Sequence, residues 1–472
     1  MLAVQLTALL GGEPQGTAEA LALVHGFDEA LVHGLGRLAE ERAEALDALA
    51  GAFAATPIGE RLAEAAAKVA SGSIAEEHLT ALAGGRAALL GAVHDALLAG
   101  LDAALERERA PWQAAPAPEA DGAGNPMTDA GNPAAGARSW LRELAIAGWR
   151  GVDHDLVSAV DQTVEGLLAV PEQRRLAVLL DGLAAELRAC CPVGTMDRLP
   201  VRRWADLWTR ALLLAQGGAA GAPQSAGTVS GRLLILGVDV HEHGTAVQFQ
   251  VHGVLEPADG GRARLVRAAV TVAKVDTITG PATWKLPNRH RMLLAALADR
   301  RSLDLTDMPL LDSGDLVWHD DRAVVGGPAD PFTTARLTLT GALAPAAPPL
   351  DRHPVGIAEP VLVEGYRVTG DGSFDLGGAV LDVDAGRLPA CGPLTPQLVA
   401  GSSACVGLVR WDGGRWLLQP LAVQATVKRQ TVEAGTGDWA LGPTDPKVVK
   451  AEARAGDAVA VLRERAGRLL RR

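Results

Sequence analysis

Apolar residues in the first half of the chain recur at three- and four-residue spacing. Leu21, Val24, Phe27, Leu31, Leu35 and Leu38 make one stripe, and Leu79, Leu82, Leu89, Leu90, Val93, Leu97 and Leu101 make another. That period puts each set on one face of a helix. Ser73-Ile74-Ala75-Glu76 fits a capping box ahead of the second stripe, with Ser accepting from an early backbone N–H and Glu reaching back. Helical spacing returns from Ser139 to about Gln216. Pro171-Glu172 suits a helix start, where a missing N–H costs nothing, and Leu176, Leu179, Leu180 and Leu183 follow. Pro200 precedes a further helix with Trp204 and Trp208 one turn apart.

From Gly231 the period drops to two. Val238 and Val240 alternate with Asp239 and His241; Val247, Phe249 and Val251 alternate with Gln248, Gln250 and His252; Val266 to Val272 repeat the pattern. One apolar and one polar face is the mark of half-buried antiparallel strands, and the Gly-containing connections have turn chemistry. This predicts a β-meander. Residues 287–300 read as a helix, and 315–325 and 335–340 read as strands. Between Val406 and Val427, Trp411-Asp412-Gly413-Gly414-Arg415-Trp416 predicts a hairpin with Trp on each side of the turn.

These elements predict an α+β fold: a helical N-terminal half, an antiparallel β-rich C-terminal half and a short C-terminal helix. The expected units are a helical bundle (1–110), a flexible Pro/Gly/Ala linker (111–138), a second helical region (139–217), a β-meander domain with one helix (228–342), a second antiparallel β region (355–440) and a basic C-terminal helix (446–472). A chain of 472 residues exceeds one ordinary core.

Composition narrows the function. The formal net charge of −12 argues against gripping phosphate backbones, so nucleic acid is an unlikely partner. The four cysteines, Cys190, Cys191, Cys391 and Cys405, lack zinc-type spacing and read as reduced thiols. The N-terminus has no basic start followed by a long apolar stretch, and no apolar run reaches the ~18 residues of a membrane span. The expectation is a cytoplasmic protein with no membrane association.

Candidate chemistry is sparse. His241 and His243 share a strand face and His252 lies across the hairpin, an arrangement that suits metal ligands. Gly244-Thr245 beside them is turn material, which makes a solvated hairpin tip the simpler reading. Asp371, Ser373 and Asp375 place oxygens at the first, third and fifth positions of a calcium loop, but Leu376 stands where the loop needs Gly. Asp153-His154-Asp155 reads as a helix cap. No Gly-x-Ser-x-Gly, phosphate-cradling or dinucleotide-binding run occurs, and no cofactor is called for. Trp204, Trp208, Trp411 and Trp416 are core anchors or, if exposed, a protein-binding hot spot. Arg465 and Arg468 belong to a basic face that suits an acidic partner.

The run Pro200 to Leu214, the meander after it and the segment Gly407 to Val423 together resemble a group of uncharacterised actinobacterial proteins. These accompany SWIM zinc-finger proteins, MoxR-type AAA+ ATPases and von Willebrand A-domain proteins. The resemblance spans about residues 140–425 and rests on packing residues; the SWIM signature itself is absent. It implies a non-enzymatic interaction or scaffold component of a AAA+ chaperone-like system, with a AAA+ ATPase or a von Willebrand A-domain protein as partner. The rival readings are a metal-assisted hydrolase with scattered loop residues and a nucleic-acid accessory protein acting through the C-terminal helix.

Overall fold

A computed structural model describes residues 1–112, 133–216, 225–455 and 458–469. The helical half contains α1 (Ala3–Gly11), α2 (Thr17–His33), α3 (Glu40–Gly51), α4 (Gly59–Ala70), α5 (Glu76–Ala104), α6 (Pro133–Ala147), α7 (His154–Ser158), α8 (Asp161–Leu168), α9 (Arg174–Cys190) and α10 (Val201–Leu214). The two expected helical regions share one core. Phe27, Leu31, Leu46, Leu62, Leu79 and Leu82 from the first pack with Trp140, Leu144, Leu180, Trp204 and Trp208 from the second. Two glycines let them close. Gly34 (φ 87°) and Gly148 (φ 69°) end α2 and α6 in the left-handed region, and a Cβ on Gly148 would sit 2.1 Å from the Gly34 nitrogen.

Next come β1 (Ser225–Glu242), β2 (Ala246–Pro257), β3 (Arg264–Ala273), α11 (Arg291–Ala298), β4 (Arg301–Leu311), β5 (Asp315–Leu316), β6 (Ala323–Pro328) and α12 (Pro331–Thr338). The expected meander β1–β2–β3 is antiparallel throughout. The 18-residue β1 also pairs with β4, so the order β1-β2-β3-β5-β4 closes on itself into a small barrel with β6 at its side. Val247, Phe249 and Val251 point inward with Trp284, Leu303 and Met308.

The second sheet holds β7 (Ala358–Glu364), β8 (Arg367–Val368), β9 (Phe374–Asp375), β10 (Val380–Val383), β11 (Ser402–Asp412), β12 (Arg415–Val427) and β13 (Gln430–Gly435), with α13 (Pro396–Ala400) before β11. Its order is β7-β11-β12-β10-β9-β8, with β13 on β12. The Trp hairpin is present: Trp411 and Trp416 are cross-strand partners, edge to face at 5.2 Å, around Gly413 and Gly414. The chain ends in α14 (Pro446–Ala455) and α15 (Ala458–Leu469).

One face of this second sheet packs on the helical half, where Val93, Leu97 and Leu101 of α5 and Leu6 and Leu9 of α1 meet Val361, Val409 and Leu418. Its other face meets the barrel, where Ala404, Val406 and Ala422 pack on Leu234, Leu236 and Val254. At Gly237 the layers touch closely, since a Cβ there would lie 2.7 Å from Leu421 Cβ. The halves therefore form three stacked layers. The 29-residue α5 belongs to both the helical core and the sheet interface, and spans about 43 Å at 1.5 Å per residue. Among the described residues it is the one helix long and apolar enough to cross a membrane; here its apolar residues are core.

Some local expectations are corrected. Residues 335–340 do not make a strand; α12 covers most of them, because Asp330 accepts from the Thr333 N–H at 2.7 Å and Pro331 fills the first helical position. Ser73 does not cap α5. Its backbone N–H closes α4 on Lys68, and Ala75 holds the cap position without a side-chain bond. The 315–325 segment is divided between β5, a turn and β6. The basic C-terminal segment is two helices. Most of the expected linker lies outside the described residues, and its end is already helical from Pro133.

Candidate functional site

The polar faces of the strands do not all meet solvent. On the outside of the barrel, β2 presents Gln248, Gln250 and His252, and β3 places Arg267 opposite His252. The helical half and the second sheet close over this face. Between them lies a cavity of about 550 Å³, bounded by His94 of α5, Arg109 just beyond it, Arg210 of α10, and the Ala344–Pro348 and Gly356–Pro360 stretches of chain.

Each cation of the wall has a carboxylate. Arg267 makes a bidentate pair with Asp315 at 2.8 and 2.9 Å. Arg109 bonds Asp102 at 2.8 and 3.0 Å, lies 3.1 Å from Glu359, and donates to the Ala344 carbonyl. Arg210 pairs with Asp206 at 3.1 Å. His94 Nδ1 is 2.9 Å from Asp95, which also receives Arg352 at 2.8 Å. Burial holds the His94 imidazole below its usual pKa in spite of Asp95.

Three further polar side chains face the cavity. Gln248 and Gln250 are half-buried and line it. His252 is 1 % exposed and its Nε2 is unpartnered. Burial first, and Arg267 second, push its pKa down to about 3, so the ring is neutral at ordinary pH.

Beside the cavity a second polar group bridges barrel and sheet. Asp239 of β1 accepts from Arg410 of β11 at 2.5 Å and from Gln419 of β12 at 2.7 Å, and Arg410 Nε donates to Gln419 Oε1 at 2.5 Å. His241 Nε2 closes the set at 2.8 Å from Asp239. Burial alone would raise the Asp239 carboxyl. His241, Arg410 and Gln419 outweigh it and hold the group well below the usual carboxylate range.

The expected metal ligands do not converge. His241 is engaged with Asp239, His243 is exposed at the hairpin end, and His252 lies four pairs along the ladder from His241. Among the described residues no group of three or more His, Cys, Asp or Glu is placed to hold a metal. Asp371, Ser373 and Asp375 form turns: Asp371 accepts from the Ser373 N–H at 3.2 Å, Asp375 accepts from the Gly378 N–H at 2.7 Å, and Ser373 Oγ donates to Asp382. Trp204 and Trp208 are in the helical core, and Trp411 and Trp416 are buried against α5 and α1, so none of the four offers an exposed anchor. Arg465 is exposed on α15, and Arg468 lies on the same helix. Asp153 does cap α7, accepting from the Leu156 N–H. The thiols of Cys391 and Cys405 are buried and pushed up, Cys391 to about 12, which disfavours a thiolate nucleophile.

Of the cavity's polar wall, the sequence had singled out His252 alone. Gln248, Gln250 and Arg267 carry the period-two signal, but that signal marks a face as polar without saying what covers it. Compared with protein-family models, curated proteins and solved structures, the chain has no match.

Proposed function

We propose that this chain is a non-enzymatic interaction or scaffold component, serving a AAA+ system of the MoxR type with a AAA+ ATPase or a von Willebrand A-domain protein as its partner, in the cytoplasm. The observation that supports the scaffold reading is the way the layers are joined. Arg107 and Arg109 tie the end of α5 to Glu359 of β7, Arg175 of α9 reaches Asp351, and Asp95 of α5 holds Arg352. Asp239, Arg410 and Gln419 tie the barrel to the sheet. Apolar cores run through the same seams. Layers fixed in this way keep their outer surfaces at constant spacing and angle, which is what a platform for other proteins requires.

The test is reconstitution. The chain is mixed with a purified MoxR-type ATPase and, separately, a von Willebrand A-domain protein from its own host, and co-elution and affinity are measured at 150 mM salt. A stoichiometric complex with either supports the proposal. Failure of both to bind at micromolar concentration overturns it.

A further inference from the structure

We infer that the cavity where the three layers meet is a binding site for a small, uncharged, polyhydroxylated ligand, recognised by Gln248, Gln250 and His252 of strand β2. The inference is independent of the scaffold reading.

Size and enclosure come first. At about 550 Å³ the space falls within the range of small-ligand pockets, and it sits at a junction of layers, where such pockets concentrate. The three side chains occupy alternate positions of one strand, so they point the same way and stand about 7 Å apart in sequence along it. Together they make a polar row about 14 Å long on one wall.

Their chemistry selects the ligand. A Gln amide carries both an acceptor and donors, and a neutral imidazole has one nitrogen of each kind. All three can give and receive; His252 Nε2 is buried without a partner, and the half-buried Gln248 and Gln250 amides line the same wall. A buried polar atom without a partner is costly, so a ligand group that bonds His252 Nε2 recovers part of that cost. Hydroxyl groups match this row because each is likewise both donor and acceptor. The charges of the wall argue against an ionic ligand. Arg109, Arg210 and Arg267 already have their charges offset by Glu359, Asp206 and Asp315, so the wall presents no unbalanced charge to an anion or a cation. Leu98, Ile357 and Pro360 supply apolar wall that suits the C–H faces of a sugar or cyclitol.

The experiment is ligand-observed saturation-transfer NMR with the full chain, titrating glucose, maltose, mannitol and myo-inositol separately, with inorganic phosphate followed by ³¹P line broadening. A saturable signal is expected for at least one polyol and none for phosphate. In Gln250→Leu the affinity for that polyol is expected to fall about tenfold, the effect of losing one hydrogen bond to the ligand. Gln248→Leu is the second variant, used if the first melts more than a few degrees below the parent chain. Three results overturn the inference: no saturable polyol, phosphate binding at the same site, or a polyol signal that both folded variants leave unchanged.

Discussion

Replacing Asp239 by Leu removes the acceptor that holds three groups from three strands: Arg410 at 2.5 Å, Gln419 at 2.7 Å and His241 at 2.8 Å. Arg410 is 7 % exposed, so its cation would be left in the interior with only Gln419 Oε1 to accept from it. Breaking one side of a buried pair costs about 3–5 kcal/mol, much of it the penalty of the stranded charge. Against a total stability of about 5–15 kcal/mol for a folded domain, that is a large share. The reasoning also specifies a rescue. In Asp239→Leu/Arg410→Met/Gln419→Leu the seam becomes apolar with similar side-chain lengths, and stability should return to within about 1–2 kcal/mol of the parent or exceed it. Urea unfolding followed by tryptophan fluorescence reads both, since Trp411 lies one residue from Arg410 and Trp416 three from Gln419. A single variant that costs less than about 1 kcal/mol would refute the argument, as would a triple variant as damaged as the single. Acid is a further check. Because the native carboxyl lies well below its unfolded value, Asp239's contribution is complete above the ordinary carboxylate range and is lost only as pH falls through the depressed native value.

Other expectations follow from burial and close approach. His252 and His353 have native pKa values pushed down by burial, to about 3 and about 4, so both stabilise the fold fully above pH 6.5 and that stability drains as pH falls from there toward the native values. At pH 5 the loss is about 2 kcal/mol for each, with the buried His94 adding to it, and His252→Leu should shrink the fall in urea midpoint between pH 7.5 and 5 without abolishing it. Gly148→Ala should destabilise by about 3 kcal/mol in the same unfolding assay, because the residue needs φ 69° and its Cβ would overlap the backbone of Gly34. Trp416→Ala should cost about 3–5 kcal/mol, from lost burial and the lost edge-to-face contact with Trp411. Glu359→Gln should leave Arg107 and Arg109 short of a counter-charge and speed amide hydrogen exchange along β7 by about tenfold.

The fold was legible where periodicity reports burial directly. The second helical stripe, the meander and the Trp hairpin appear at the expected places, while the first stripe overruns α2, which Gly34 ends ahead of Leu35 and Leu38. Closure of the barrel was not legible. It depends on β1 being long enough to serve β4 with its first half and β2 with its second, and bulges at Val229/Gly231 and Ile235/Gly237 redirect it. Nothing in an alternating pattern announces a second partner. Residues 335–340 were misread for a related reason: a short apolar run fits helix or strand, and the deciding signal, Asp330-Pro331, lies just ahead of it.

The candidate site shows what periodicity leaves out. His252 attracts notice as a histidine, and metal chemistry is then the first idea it suggests. The fold gives it a different setting. Its strand neighbours on the same face are two amides, and the nearest histidine on β1 is engaged with Asp239. The residues that enclose that face come from far along the chain, His94 and Arg109 from the helical half and Glu359 from the second sheet. A polar strand face is normally a solvated face, and sequence alone favours that reading because most such faces are solvated. Here the helical half and the second sheet cover it, and the covering layers bring carboxylates for the arginines of the wall but leave the buried His252 Nε2 without a partner beside the Gln248 and Gln250 amides. That imbalance comes from the assembly of distant segments, so no local window of the sequence contains it. It also separates the two roles assigned to the molecule: the paired charges hold the layers together, and the neutral groups of the cavity wall are what remain available to a ligand.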